Sequence, residues 1–136
     1  MNANISNRII VYPLFVTEHN PKIIDIKTLE DAKNEIKRIG SDPLSVGIMA
    51  PKAISKVIQL QKVVLQDAVI IKQDMLSIGG EVAVPKHTFE LHKEKANILI
   101  IGTLKQLSDL VKKLDRHYPR LKRIAKELET VLKGVK

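Results

Sequence analysis

The order of apolar and polar positions divides the chain into alternating helical and extended stretches. Residues 65–78 place Leu65, Ala68, Val69, Ile71, Met75, Leu76 and Ile78 at helical spacing. Together they cover more than half the circumference of a helix, so this helix is expected to be buried on most of its sides and to be the hub of the core. Gly79 and Gly80 follow where a residue of positive φ closes a helix, and residues 81–84 run as a short strand up to Pro85.

The flanking pattern is read in order. Residues 8–16 are β-branched and aromatic but contain Pro13, which makes them an edge strand or an extended arm. Residues 22–26 form a second short extended piece. Thr28, with Asp31 three residues later, caps a helix whose stripe is Leu29, Ala32, Ile36 and Ile39 and which Gly40 closes. Ser41, Asp42 and Pro43 make a turn, and residues 46–49 are expected as a brief strand. Residues 56–63 are a further strand, with Val57 and Val63 on one side and Ile58 and Leu60 on the other.

Residues 88–92 are expected to form a ribbon with residues 96–101. The unbroken apolar run 97–101 marks that strand as central and covered on both faces. Thr103 and Gln106 form a capping box for a helix carrying Leu104, Leu107, Leu110, Val111 and Leu114. His117, Tyr118 and Pro119 break it, and Pro119 opens a last helix with Leu121, Ile124, Ala125, Leu128, Val131 and Leu132 on its apolar side.

These elements imply an α+β domain: a mixed sheet of four to five short strands, three to four helices, and a ferredoxin-like β-α-β-β-α core over residues 56–117. A three-layer α/β arrangement is the rival. The chain reads as one domain over residues 1–136, with an arm or edge strand over 1–22, a core over 23–117 and a basic amphipathic helix over 118–133.

Composition changes this picture in three places. With 136 residues and no cysteine, the chain is long enough to bury a core without disulfides, and thiolate metal sites and a cysteine nucleophile are excluded. The N-terminal apolar run is interrupted by Tyr12 and Pro13 and lacks a small-residue cleavage site, so neither a signal peptide nor a membrane span is expected and the cytoplasm is the expected compartment. The net charge of +8 is concentrated from Thr103 onward, where ten Lys and Arg stand against four Asp and Glu. Lys112, Lys113, Arg116, Arg120 and Arg123 form the basic surface of this third. It could attract nucleic acid, but aromatic residues for base stacking are almost absent there, so solvated helix surface is the preferred reading.

Candidate chemistry is sparse. Lys72 lies inside the apolar central helix, either as a snorkelling lysine or as a partly desolvated amine that meets an anion. Gly102 and Thr103 make a strand-to-helix junction whose backbone N–H groups either hold a phosphate or carboxylate or serve only as a cap. Gly79 and Gly80 set turn geometry, and also let a backbone approach a ligand closely. Of His19, His87, His92 and His117, the pair His87 and His92 point to opposite faces of an extended segment, while Glu90, His92 and Glu94 share one. Two further ligands would be needed, so no metal and no cofactor are expected. No nucleophile elbow is visible, and no catalytic residue is assigned.

Five segments, IKTLEDAKNEIKRIGSDP, VGIMAPKA, IIKQDMLSIGGEVAV, ILIIGTLKQLSDLVKKL and RLKRIAKELE, resemble in order and spacing the N-terminal extension that precedes the barrel of some bacterial and archaeal dihydropteroate synthases. The resemblance spans residues 24–132 and includes the glycine pair at 79 and 80 and the Gly-Thr-Leu-Lys run at 102–105. In that family, condensation of a pterin pyrophosphate with 4-aminobenzoate belongs to the barrel, which has no counterpart in this sequence. The resemblance therefore implies a non-catalytic accessory module linked to pterin and folate metabolism, docking on such a barrel or on itself through its apolar and basic C-terminal helices. A phosphate- or pterin-binding domain and a nucleic-acid binder are the alternatives.

Overall fold

The computed structural model describes residues 18–86 and 94–136. The expected strand or arm over residues 8–16 and the ribbon over residues 88–92 lie outside them. Residues 22–26 join no sheet, although Ile26 packs against the core.

Helix α1 (Leu29–Ile39) begins as its sequence requires. Thr28 is extended, its Oγ1 accepts from the Asp31 N–H at 3.0 Å, and Asp31 Oδ2 accepts from the Thr28 N–H at 3.2 Å. Gly40, at φ +86°, ends the helix and donates to the Lys37 carbonyl. Thr28→Ala is expected to cost about 1 kcal/mol, the usual worth of such a cap, read by urea unfolding. Of the stripe, Ala32 is buried and Leu29 and Ile36 pack against the core, but Ile39 is 83 % exposed.

The strand expected over residues 46–49 is instead a helix, α2 (Pro43–Met49), continued by a 3-10 turn over Ala50–Lys52. Asp42 accepts from the Leu44 N–H at 2.9 Å and Pro43 occupies the first helical position. A cap followed by proline is a helix start, and it outweighs the β-branched Val46 and Ile48.

Strand β1 (Ser55–Val64) pairs antiparallel with β3 (Lys95–Thr103), which also pairs antiparallel with the short β2 (Glu81–Ala83), giving the order β1-β3-β2. The register shifts between Leu60 and Val63, where Lys62 adopts φ +55° and its N–H donates to Asn97 Oδ1 at 3.1 Å. This bulge changes the parity of the strand. Val63 sits opposite Ala96, on the face of Ile58 and Leu60 rather than on that of Val57.

Helix α3 (Leu65–Ser77) follows β1 without a loop and crosses to β2, so that β1 and β2 run parallel with β3 between them. This is the split β-α-β unit of the ferredoxin-like arrangement. Leu65, Asp67, Ala68, Ile71 and Met75 are buried, but Gln66, Gln73 and Leu76 are exposed, so α3 is buried along one side and not around most of its circumference. Gly79, at φ +93°, and Gly80 donate to the carbonyls of Leu76 and Met75 and turn the chain into β2.

Helix α4 (Leu104–Leu114) starts on the capping box read from Thr103 and Gln106, and α5 (Pro119–Lys133) on Pro119. The apolar faces of α4 and α5, including Leu107, Leu110, Leu114, Leu121, Ala125 and Leu128, join one core cluster with Ala32, Ile71, Ile98 and Ile100. The Leu29 N–H donates to the Lys136 carbonyl at 2.8 Å, tying the C-terminal end to the start of α1.

The α+β class stands, with differences in detail among the described residues. The sheet has three strands, not four or five, and is wholly antiparallel, not mixed; the helices number five, not three or four. β3 is central as expected, but its burial alternates: Ile98 and Ile100 face the helices while Leu99 and Ile101 are exposed beside Val57. An apolar run shows that a strand is central; it does not show how many layers cover it.

Candidate functional site

The densest polar geometry lies where α3 meets the α4–α5 junction. Asp67 is in the first turn of α3, where the helix dipole favours a carboxylate, and is only 1 % exposed. Arg120 grips it with two bonds, Nε to Oδ2 at 2.8 Å and Nη2 to Oδ1 at 3.0 Å. The Tyr118 hydroxyl donates to Oδ1 as well, and the Arg120 guanidinium lies 4.9 Å from the centre of the Tyr118 ring. Two turns further along α3, Asp74 Oδ2 lies 2.9 Å from His117 Nε2. Seven residues bring a helix back to nearly the same face, so one side of α3 holds the whole 117–120 corner.

The electrostatics follow from this packing. Burial pushes the Asp67 carboxyl up, but the hydrogen bonds from Arg120 and Tyr118 and the Arg120 charge outweigh it and hold the group below the ordinary carboxylate value. Burial, with the bond to Asp67, raises the Tyr118 phenol. The bond to Asp67 raises the guanidinium of Arg120. The result is a neutral tyrosine and a charged pair.

Beside this cluster is a cleft of about 280 Å³ between the β1 bulge and α5, lined by Lys62, Asp67, Arg120, Arg123, Ile124 and Glu127 among others. A second cleft, of about 290 Å³, lies between α4 and the end of α5 and includes Leu104, Val111, Lys112, Leu132 and Lys133.

The residues singled out from sequence gather elsewhere. A Cβ on Gly80 or Gly102 would overlap the Met75 side chain, and one on Gly79 would lie 3.1 Å from the Gln106 amide. These glycines therefore let α3, β2 and the start of α4 close around Met75 and Gln106. At the junction, the Thr103 N–H donates to Gln106 Oε1, the Gln106 N–H to Thr103 Oγ1 and the Leu104 N–H to the Ile54 carbonyl. Those amides are used within the chain, which favours the cap over an anion site. Lys72 meets an anion of its own chain: Nζ donates to Glu81 Oε1 at 3.0 Å and to the Val82 carbonyl at 2.7 Å. The Val82 N–H and then Lys72 hold Glu81 below its usual value. Lys72 is a strut between α3 and β2.

The basic residues are not equivalent. Arg120 is committed to Asp67, Arg123 lines the first cleft and Lys112 the second, while Lys112 and Lys113 complement the C-terminal end of α4. Asp67, Asp74, His117 and Tyr118 are not among the site residues that the sequence points to. Two carboxylates seven apart in an apolar helix were the available signal, because a buried Asp requires a partner. His87 and His92 lie outside the described residues, and among the described residues no three His, Cys, Asp or Glu side chains group as a metal site. No helix there is long and apolar enough to cross a membrane.

Comparison with known proteins adds one relationship. The bifunctional dihydropteroate synthase/dihydropteroate reductase of Helicobacter pylori (strain ATCC 700392 / 26695) is 31 % identical over 104 residues, which cover 76 % of this chain and 27 % of that protein. No family model matches, and no solved structure does. The chain thus spans about a quarter of the length of the curated relative it matches, and it is similar to a region of a dihydropteroate synthase-related protein.

Proposed function

We propose that the chain is a non-catalytic interaction module of dihydropteroate metabolism, which docks on a dihydropteroate synthase barrel. The observation that carries this reading is the similarity over 104 residues to part of a protein named for two dihydropteroate activities. This reading places the docking face at the α1–α2 corner rather than on the C-terminal helices. Leu107, Leu110 and Leu114 of α4 and Leu121, Ala125 and Leu128 of α5 are inside the core, although Val131 is half-exposed, whereas Ile39, Leu44 (86 % exposed) and Ile48 (62 % exposed) all lie within ten residues of sequence at the α1–α2 corner. Exposed apolar side chains mark protein contact surfaces when they join into one patch, which is how this reading takes these three.

The full chain, titrated with a dihydropteroate synthase barrel in sedimentation velocity, is expected to form a discrete complex. Leu44→Glu with Ile48→Glu is expected to weaken it at least 100-fold, since desolvating two charges at an interface core costs several kcal/mol. Both positions are exposed, so circular dichroism of the variant should be unchanged. A chain that ignores the barrel, or a variant that binds as well as the parent, overturns the reading.

A further inference from the structure

We infer that the outer edge of β1, over residues 55–59, pairs with the same segment of a second copy of the chain and joins two three-stranded sheets into one of six strands. The hydrogen bonds fix which backbone groups point outward. The Leu104 N–H donates to the Ile54 carbonyl, and residues of one strand alternate in the side to which they turn both groups, so Lys56 and Ile58 face β3. Ser55, Val57 and Gln59 face away from it. Among the described residues no strand lies on that side.

The two edges of the sheet are treated differently. On β2 the outward groups of Val82 are already used: its N–H donates to Glu81 Oε1 at 2.8 Å and its carbonyl accepts from Lys72 Nζ at 2.7 Å. That edge is closed by its own side chains. On β1 the bulge after Leu60 bends the strand, but residues 55–59 before it contain no proline and a single charge, Lys56. An edge left in that state is a template for another strand.

What selects a second copy is the fit of this segment to itself. Antiparallel pairing about Val57 sets Ser55 opposite Gln59, Lys56 opposite Ile58, and Val57 opposite Val57 of the second copy. Every outward-facing residue then exchanges both of its backbone bonds, and the two lysines do not stand opposite each other. On the face away from the helices, Val57 (60 % exposed) lies beside exposed Ile101, so the pairing also joins the apolar strips of the two sheets. Five residues from each copy bury far less than the ~1,600 Å² of a standard interface, which makes this a weak association. It uses neither residue of the α1–α2 corner and stands or falls separately from the docking reading.

The test is sedimentation velocity of the full chain from about 10 µM to about 1 mM, with amide hydrogen exchange at both ends of that range. At the higher concentration a dimer is expected, with protection rising at the Val57 and Gln59 amides and unchanged at Ile58, whose N–H already faces β3. Val57→Lys sets two ammonium groups opposite each other, and Val57→Pro removes an outward N–H where an edge strand tolerates proline. Each should weaken association about 10-fold, the worth of one or two backbone bonds. Leu44→Glu with Ile48→Glu should leave the dimer intact. A chain still monomeric at about 1 mM overturns the inference, as does association that Val57→Lys leaves unmoved, or protection of the Val57 and Gln59 amides that is the same at both concentrations.

Discussion

Arg120→Met is expected to lower the stability of the chain by about 2–3 kcal/mol, a fall in Tm of roughly 6–15 °C for a domain of this size. The substitution keeps the side-chain stem over Tyr118 but leaves the Asp67 carboxylate buried with a single hydroxyl donor. Removing one partner of a fully buried pair costs about 3–5 kcal/mol. The figure is smaller here because the Arg120 side chain is half-exposed and water reaches the gap. Adding Asp67→Leu should restore more than half of the loss, since the buried charge then disappears with its partner.

The same pair sets the acid limb. Because the folded-state value of Asp67 lies below its ordinary 3.8, its contribution is present above about pH 4 and fades as the pH falls through the folded value. In Arg120→Met, burial is no longer outweighed, and the carboxyl takes up its proton at higher pH than in the parent. The destabilisation measured at pH 7 should therefore shrink towards pH 3. A gap between parent and variant that stays constant from pH 7 to pH 3, followed by urea unfolding, would show that Asp67 is not the group at work.

What could be read from the sequence was what is decided locally. The Thr28–Asp31 and Thr103–Gln106 caps, the Gly40 and Gly79 terminations and the Pro119 start each depend on residues within one turn, and each is found where it was read. Where two local signals compete, sequence alone does not decide: Asp42-Pro43 opens a helix, while the β-branched residues behind it favour a strand. Alternation places Val63 with Val57, but one residue of bulge, invisible in an alternation count, inverts every position after it and turns Val63 to the opposite face. The Asp67–Arg120 pair joins residues 53 apart, so no window of sequence contains both partners. Only the cost of a lone buried carboxylate could have announced that a cation must arrive from elsewhere.

Met75 shows how packing unites glycines that looked like separate features. Its side chain is fully buried and occupies the space where Gly80 and Gly102 would carry a Cβ. Met75→Ala should cost about 2–5 kcal/mol, the range for emptying a fully enclosed methionine site. Gly102→Ala alone should cost about 1–3 kcal/mol, because the added methyl must push Met75 and Gln106 aside in a closed core. If the glycine is required for that close approach, the two changes are coupled: once Met75 is shortened, the new methyl enters vacated space. The double variant should then be more stable than the sum of the single losses predicts, by about 1–2 kcal/mol in a urea double-mutant cycle. Strict additivity would mean that Gly102 serves the ladder or the cap and has no part in holding Met75. In that case the glycine contacts would not explain how α3 is seated on the sheet.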